Sequence, residues 1–203
     1  MTAQGQAGRV NQKQRTRTAI VEAARELVGA SADVTMPAVA TAALVSEATA
    51  YRYFPDLVSL LREAVDGTWP TPAEALAPVE DSDDAVERIA FATEHLLRHV
   101  LRYQSAVRAM IAASIVRPGS ATMRPGLRFG LIDQALAPVT TNGLLRPEAV
   151  AQLKQDLAIV VSAEALFTLT DLCGLPPDEA IESAVRTAVV ITGAALAAGS
   201  GRG

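Results

Sequence analysis

The chain has 203 residues, a formal net charge of −4 and one cysteine, Cys173; half of its residues are hydrophobic and one fifth are charged. That is enough for one domain with a full core, or for a small module joined to a larger one. One cysteine excludes a disulfide framework, the polar N-terminus lacks the apolar core of a signal peptide, and the apolar stretch Thr187–Ala198 is too short to span a bilayer. The expected setting is therefore the cytoplasm, with no membrane partner.

The first 25 residues carry Arg9, Lys13, Arg15, Arg17 and Arg25 against Glu22 alone. Through Arg62 there are seven cations and five anions, and after it eleven cations and seventeen anions. A basic front on an acidic body suits a protein that docks one end on a polyanion; a solvated basic tail is the other reading. Residues 1–10 read as a flexible basic arm. A first helix is predicted from about Asn11 to Val28, since Ile20, Ala23, Ala24, Leu27 and Val28 recur at helical spacing and Gly29 suits the C-terminal cap. A short helix follows over Pro37–Ala43, with proline in the first turn. After a tight break at Leu44-Val45, Ser46 caps a third short helix running through Phe54. Asp56 caps a fourth, with Leu57, Leu60, Leu61, Ala64 and Val65 on its buried side.

Pro70–Glu80, with three prolines, reads as a linker. Ser82 or Asp83 caps a helix reaching Leu101, whose apolar stripe is Val86, Ile89, Ala90, Leu96, Leu97 and Val100. Further helices are predicted over Gln104–Val116, from Pro125 to before Pro138, over Pro147–Leu172 as one long element, and from Pro176-Pro177 onward. Neither an alternating strand pattern nor an internal repeat is present, so the predicted fold is all-α, with about nine helices. The chain has no Gly-rich phosphate loop, metal-ligand cluster or nucleophile–base constellation. The expectation is a binding protein, with neither catalysis nor a cofactor. His95 and His99 share a helix face at metal-ligand spacing, but no carboxylate or cysteine completes the set, so a solvated pair is the preferred reading. Cys173 reads as a small buried residue near a helix end.

The informative segment is residues 35–55, two short helices about a tight turn. Ala40, Ala43 and Ala50 allow close approach, and Val39, Val45 and Phe54 can bury against the first helix. Ser46, Glu47, Ala48, Thr49, Tyr51 and Arg52 then lie outside. This mix suits a helix entering the major groove, with short residues to approach base edges and hydroxyls and a guanidinium to bind bases and phosphates. Tyr51 and Tyr53 have core packing as the competing role.

At these residues the chain resembles the TetR family of bacterial repressors. Val45-Ser46-x-x-Thr49-x-Tyr51-x-Tyr53-Phe54 is similar to that family's recognition-helix signature. Arg15-Thr16-Arg17-x-x-Ile20-x-x-Ala23-Ala24-x-x-Leu27 resembles its first helix; the similarity covers about residues 12–65. The resemblance implies a helix-turn-helix DNA-binding domain over 11–55 and a helical ligand-binding and dimerisation domain over 56–203. It implies that Thr35, Ser46, Thr49, Tyr51 and Tyr53 face phosphates. Glu47, Ala48 and Arg52 would face base edges, with Arg52 placed for a guanine, and Arg15 and Arg17 would meet phosphates or the minor groove. Two positions depart from the pattern: Leu44 stands where glycine is usual at the turn, and Leu57 where a lysine often anchors phosphate. A leucine at the turn must avoid positive φ or bear its cost.

Leu157–Leu172 is apolar almost all round and Ala184–Ala198 is small and apolar, so each needs cover on more than one side. The resemblance implies that the cover is a second subunit, through a four-helix interface including Leu157, Val161, Ala184, Ala188, Val189 and Ala195; an internal core helix is the alternative. It also implies a cavity for an apolar or aromatic inducer, lined from Trp69, Phe91, His95, Tyr103, Met110, Met123, Phe129 and Phe167, each of which has core packing as its competing role. The function implied is a homodimeric repressor released from a pseudo-palindromic operator by that inducer. An activating or ligand-independent regulator is the alternative.

Overall fold

The computed structural model describes residues 3–30, 34–65, 68–116 and 127–200. Its described elements are all helical, as the periodicity predicts. They are α1 (Ala3–Gly29), α2 (Met36–Ala42), α3 (Glu47–Tyr53), α4 (Leu57–Val65), α5 (Pro72–Leu76), α6 (Ala85–Arg102), α7 (Gln104–Val116), α8 (Leu127–Ala135), α9 (Ala137–Thr141), α10 (Pro147–Val160), α11 (Ala163–Phe167) and α12 (Pro177–Ser200). A 3₁₀ turn at Ala77–Val79 follows α5, and a π-helical turn at Thr168–Leu172 follows α11.

The helices form two compact units: α1–α4 with α7, and α5, α6 and α8–α12. The packing therefore does not divide at 55/56. In the front unit α1 lies on α2 and α4, and α4 also meets α7. The core holds Ile20 and Ala24 of α1, Val39 of α2, Ala50 of α3, Leu60 and Leu61 of α4, and Ala106 and Met110 of α7. One long and two short helices bury too little apolar surface alone, and α4 and α7 complete the cover. The segment read as a flexible arm is continuous with the first helix, because α1 begins at Ala3.

In the second unit α10 packs on α8 and α12, and α5 on α8. The expected linker is structured here. Thr71 Oγ1 accepts from Glu74 N (3.2 Å), and Glu74 Oε2 accepts from Thr71 N (2.8 Å), a reciprocal capping box that starts α5. The Thr71 N–H, and beside it the Thr71 hydroxyl (2.8 Å), both donate to Glu74 Oε2 and hold its carboxyl below the ordinary range. Pro72 sits at a first-turn position, where it loses no helical hydrogen bond, which allows α5 to form within a proline-rich stretch. The cap of α6 is Asp84, neither Ser82 nor Asp83: its Oδ1 accepts from Val86 N at 2.8 Å.

The long helix predicted over 147–172 is broken after Val160. Ser162 turns out of the helix, accepts from Ala165 N (3.0 Å) and donates to Ile159 O (2.8 Å), so one hydroxyl closes α10 and caps α11. Gly174, at φ 69°, follows the π-helical turn in the left-handed region that glycine tolerates. Cys173 just before it is exposed, contrary to the expected burial. This end of the segment lies at the surface as a whole: Leu172 before the thiol is 82 % exposed, and Gly174 after it is exposed too.

By length and composition α12 is apolar enough to cross a membrane: 23 residues, Pro177–Gly199, contain an 18-residue window of mean hydropathy 1.4, of which 28 % is buried. Ala180, Ile181, Ala184, Ala188 and Thr192 form its buried side. Glu179, Glu182, Arg186, Val190 and Ala194 are exposed.

Candidate nucleic-acid interface

The turn between α2 and α3 determines how α3 is presented. Leu44 N donates to Thr41 O (3.1 Å) and Val45 N to Ala40 O (2.9 Å), the paired bonds of a Schellman motif. That motif places Leu44 at the left-handed position, and its φ is 55°. The departure from glycine leaves the turn intact, and the cost stays in the backbone. Leu44 is 93 % exposed, so no burial offsets that cost. Leu44→Gly should therefore stabilise the fold, by about 1 kcal/mol, since the steric cost of a left-handed residue is roughly 1–2 kcal/mol and glycine loses some of this in chain entropy. Urea unfolding of both proteins checks it; an unchanged midpoint would mean the turn carries no strain.

Both helices of the pair start on side-chain caps. Thr35 Oγ1 accepts from Ala38 N (3.3 Å), and Ser46 Oγ accepts from Thr49 N (3.2 Å) while lying 2.9 Å from Thr49 Oγ1. Thr35 and Ser46 are also exposed, so capping leaves their hydroxyls at the surface. Ala50 (0 % exposed) and Phe54 (2 %) fix the inner side of α3. Glu47, Ala48, Tyr51 and Arg52 are exposed and Thr49 is half-buried. Tyr51 is on the outer face, whereas Tyr53 is half-buried. The Arg52 guanidinium stands 5.6 Å from the Tyr53 ring centroid. Glu47 in the first turn and Arg52 in the last complement the helix dipole, a structural role beside any contact with a ligand. Asp56 caps α4 as expected, its Oδ1 accepting from Ser59 N at 2.7 Å, and Leu57 is half-buried.

The two α1 arginines expected at DNA separate. Arg15 is exposed, whereas Arg17 pairs with Glu63 of α4 and lies 4.6 Å over the Phe54 ring. Arg25, two turns on, donates from Nε to Ala64 O at 2.9 Å, near the end of α4. Sequence patterns did not show Glu63 or Ala64 as partners, because no local signal links residues about forty apart.

The residues expected to line a ligand cavity are divided between the units. Trp69, Tyr103 and Met110 lie in the front unit, and Met110 is a core residue of α7 at 2 % exposure. Phe91, His95, Phe129 and Phe167 lie in the second, and Met123 falls outside the described residues. Phe91 and His95 stack at 6.2 Å, and His95 Nε2 is buried without a hydrogen-bond partner among the described residues. Phe129 is 52 % exposed. A separate groove of about 380 Å³, bordered by Leu144, Leu145, Leu153, Ala195 and Gly199 among others, contains just one residue named from the sequence, Ala195.

Of the residues expected at a subunit interface, Leu157, Val161, Ala184 and Ala188 are instead buried within the chain's own core, at 0–2 % exposure. Val189 and Ala195 are half-buried. The all-round apolar character of these segments did not indicate which side their own neighbours would take. The large exposed apolar residues on α10 and α12 are Ile159 (74 %) and Val190 (68 %). Among the described residues no group of three or more His, Cys, Asp or Glu could hold a metal. In comparisons with known proteins, no family model and no curated protein matches the chain.

Proposed function

We propose that the chain is a DNA-binding transcriptional repressor of the TetR type, acting in the cytoplasm as a homodimer on a pseudo-palindromic operator. The observation that carries this reading is the presentation of α3. A Schellman turn and the Ser46 cap orient it, Ala50 and Phe54 anchor it, and Glu47, Ala48, Tyr51 and Arg52 are left outward. A short helix with that surface fits the major groove, and two such helices in a dimer would read half-sites about 34–36 Å apart. Arg15 adds a cation toward the phosphates. The exposed apolar residues Ile159 and Val190 support a second subunit as the cover of α10 and α12. Glu179, Glu182 and Arg186 on the exposed part of α12 disfavour a bilayer in that place.

Release by an apolar or aromatic inducer is the proposed control. It is supported by the His95 Nε2 atom, buried beside the Phe91 ring and lacking a hydrogen-bond partner, which suits one polar anchor in an apolar site. A ligand-independent or activating regulator is the second reading, favoured by the uptake of Met110 into the core and by the exposure of Phe129.

The test is gel-shift on the DNA upstream of the protein's own gene at two salt concentrations, with wild type and Arg52→Ala. Loss of a base contact should cost roughly 1–3 kcal/mol on the operator and much less on random DNA. Equal losses on both would make Arg52 a phosphate contact, and no shift at either salt would overturn the DNA reading.

A further inference from the structure

The geometry points to Arg17 as a positioning residue for the recognition helix, held by Glu63 of α4 against the ring of Phe54, and not as a contact to DNA. The inference rests on the reading of α3 as the helix that enters DNA.

Residues two apart on a helix lie about 200° apart around its axis, so Arg15 and Arg17 leave opposite sides of α1. Arg15 is exposed. The side of Arg17 continues through Val21 (7 % exposed) to Arg25, which donates to Ala64 O of α4. This is the side of α1 that packs on α4. Arg17 Nη1 pairs there with Glu63 Oε1, and the guanidinium covers the Phe54 ring at 4.6 Å. Phe54 is the C-terminal cap residue of α3, and its N–H donates to Ala50 O. One cation therefore joins three elements: the helix that bears it, the helix that supplies the carboxylate, and the end of the recognition helix. Arg17 and Glu63 are each 37 % exposed, so solvent screens the pair and the expected effect is moderate.

The two roles predict opposite signs for Glu63→Gln. If Arg17 touches phosphate, removing the carboxylate frees a cation and tightens binding to all DNA. If Arg17 holds α3, the same change loosens the helix and weakens operator binding, with random DNA little affected. The experiment measures operator and random-DNA affinity across a salt series for wild type, Glu63→Gln, Arg17→Met and the double variant, at a temperature where circular dichroism shows all four folded. Each single change should lower operator affinity about three- to tenfold, the size expected from one exposed ion pair and one cation–π contact. The double variant should be no worse than the weaker single, because the side chains act together. The operator-to-random ratio should fall, and the slope of log K against log salt should stay unchanged. A tighter Glu63→Gln protein, or a slope reduced by about one in Arg17→Met, would make Arg17 a phosphate contact and overturn the inference. If wild type shifts no DNA, the DNA reading fails by itself. The same four proteins then test the Arg17–Glu63 coupling by thermal unfolding: non-additive shifts keep the positioning role, and additive shifts overturn it.

Discussion

Arg88→Met is expected to destabilise the protein by roughly 3–5 kcal/mol, the range for breaking a buried ionic hydrogen-bond network. Arg88 is 3 % exposed. Its guanidinium donates to Ala135 O (3.1 Å), Gln134 O (2.9 Å), Val79 O (2.6 Å), Glu80 O (3.0 Å) and Ser82 O (3.3 Å). These partners are carbonyls. Two belong to the C-terminal end of α8, where the helix dipole is negative; Val79 ends the 3₁₀ turn, and Glu80 and Ser82 follow it before α6. The carbonyl oxygens thus solvate the cation in place of water. Methionine fills a similar volume but removes the guanidinium donors from those oxygens, of which Val79 O keeps the Ser82 N–H (3.3 Å), at about 1–3 kcal/mol for each oxygen left unpaired that water cannot reach. Lysine should rescue only part of the loss, because its three donors radiate from one point whereas the guanidinium presents a planar fork. Urea unfolding of wild type, Arg88→Met and Arg88→Lys measures both effects. A loss under about 1 kcal/mol for methionine would mean that water replaces the guanidinium, and the site would not be closed.

In the homodimer proposed above, Val190→Glu should separate the subunits while leaving each chain folded. Val190 is 68 % exposed on α12, so a charge there costs the isolated chain little. In an apolar subunit interface the same charge loses its water and costs several kcal/mol. Sedimentation should show monomers at concentrations where wild type is dimeric. Operator affinity should then fall by about two orders of magnitude or more, while affinity for a single half-site changes little, because the term removed is the linkage of two sites. Ala188→Glu, by contrast, should unfold the chain, since Ala188 is 0 % exposed inside its own core. A Val190→Glu protein that sediments as a dimer would place the interface elsewhere.

Local signals account for much of what the sequence reveals. The spacing of Ile20, Ala24 and Val28 identified α1, and the bounds of α7 matched the apolar run to the residue. Serine and proline at fixed offsets marked the starts of α2 and α3. The capping box at Thr71 and Glu74 has a local signature too, but the surrounding prolines made the stretch read as a linker. Other features depend on tertiary packing. Ser162 looks like an interior helix residue until Val161 and Ser162 are both buried and the hydroxyl is used as a cap. The inward side of α12 is set by α10, and its alanines fit equally well against a neighbour in the same chain or in another. Within the candidate site, the outward set on α3 follows from helical periodicity. The split between Arg15 and Arg17 was available from that same periodicity, but the partner of Arg17 is 46 residues away.

The exposure of Cys173 has a practical consequence. It is the one thiol in 203 residues, so a maleimide or methanethiosulfonate probe attaches at a single place on each chain, with no cysteine to be removed first. The probe sits after the π-helical turn and before α12, away from the outward residues of α3 in the sequence. In a twofold dimer the two probes define one spin–spin distance, and in a monomer they define none. The unmodified sequence can therefore report its own assembly by pulsed dipolar spectroscopy, with and without DNA.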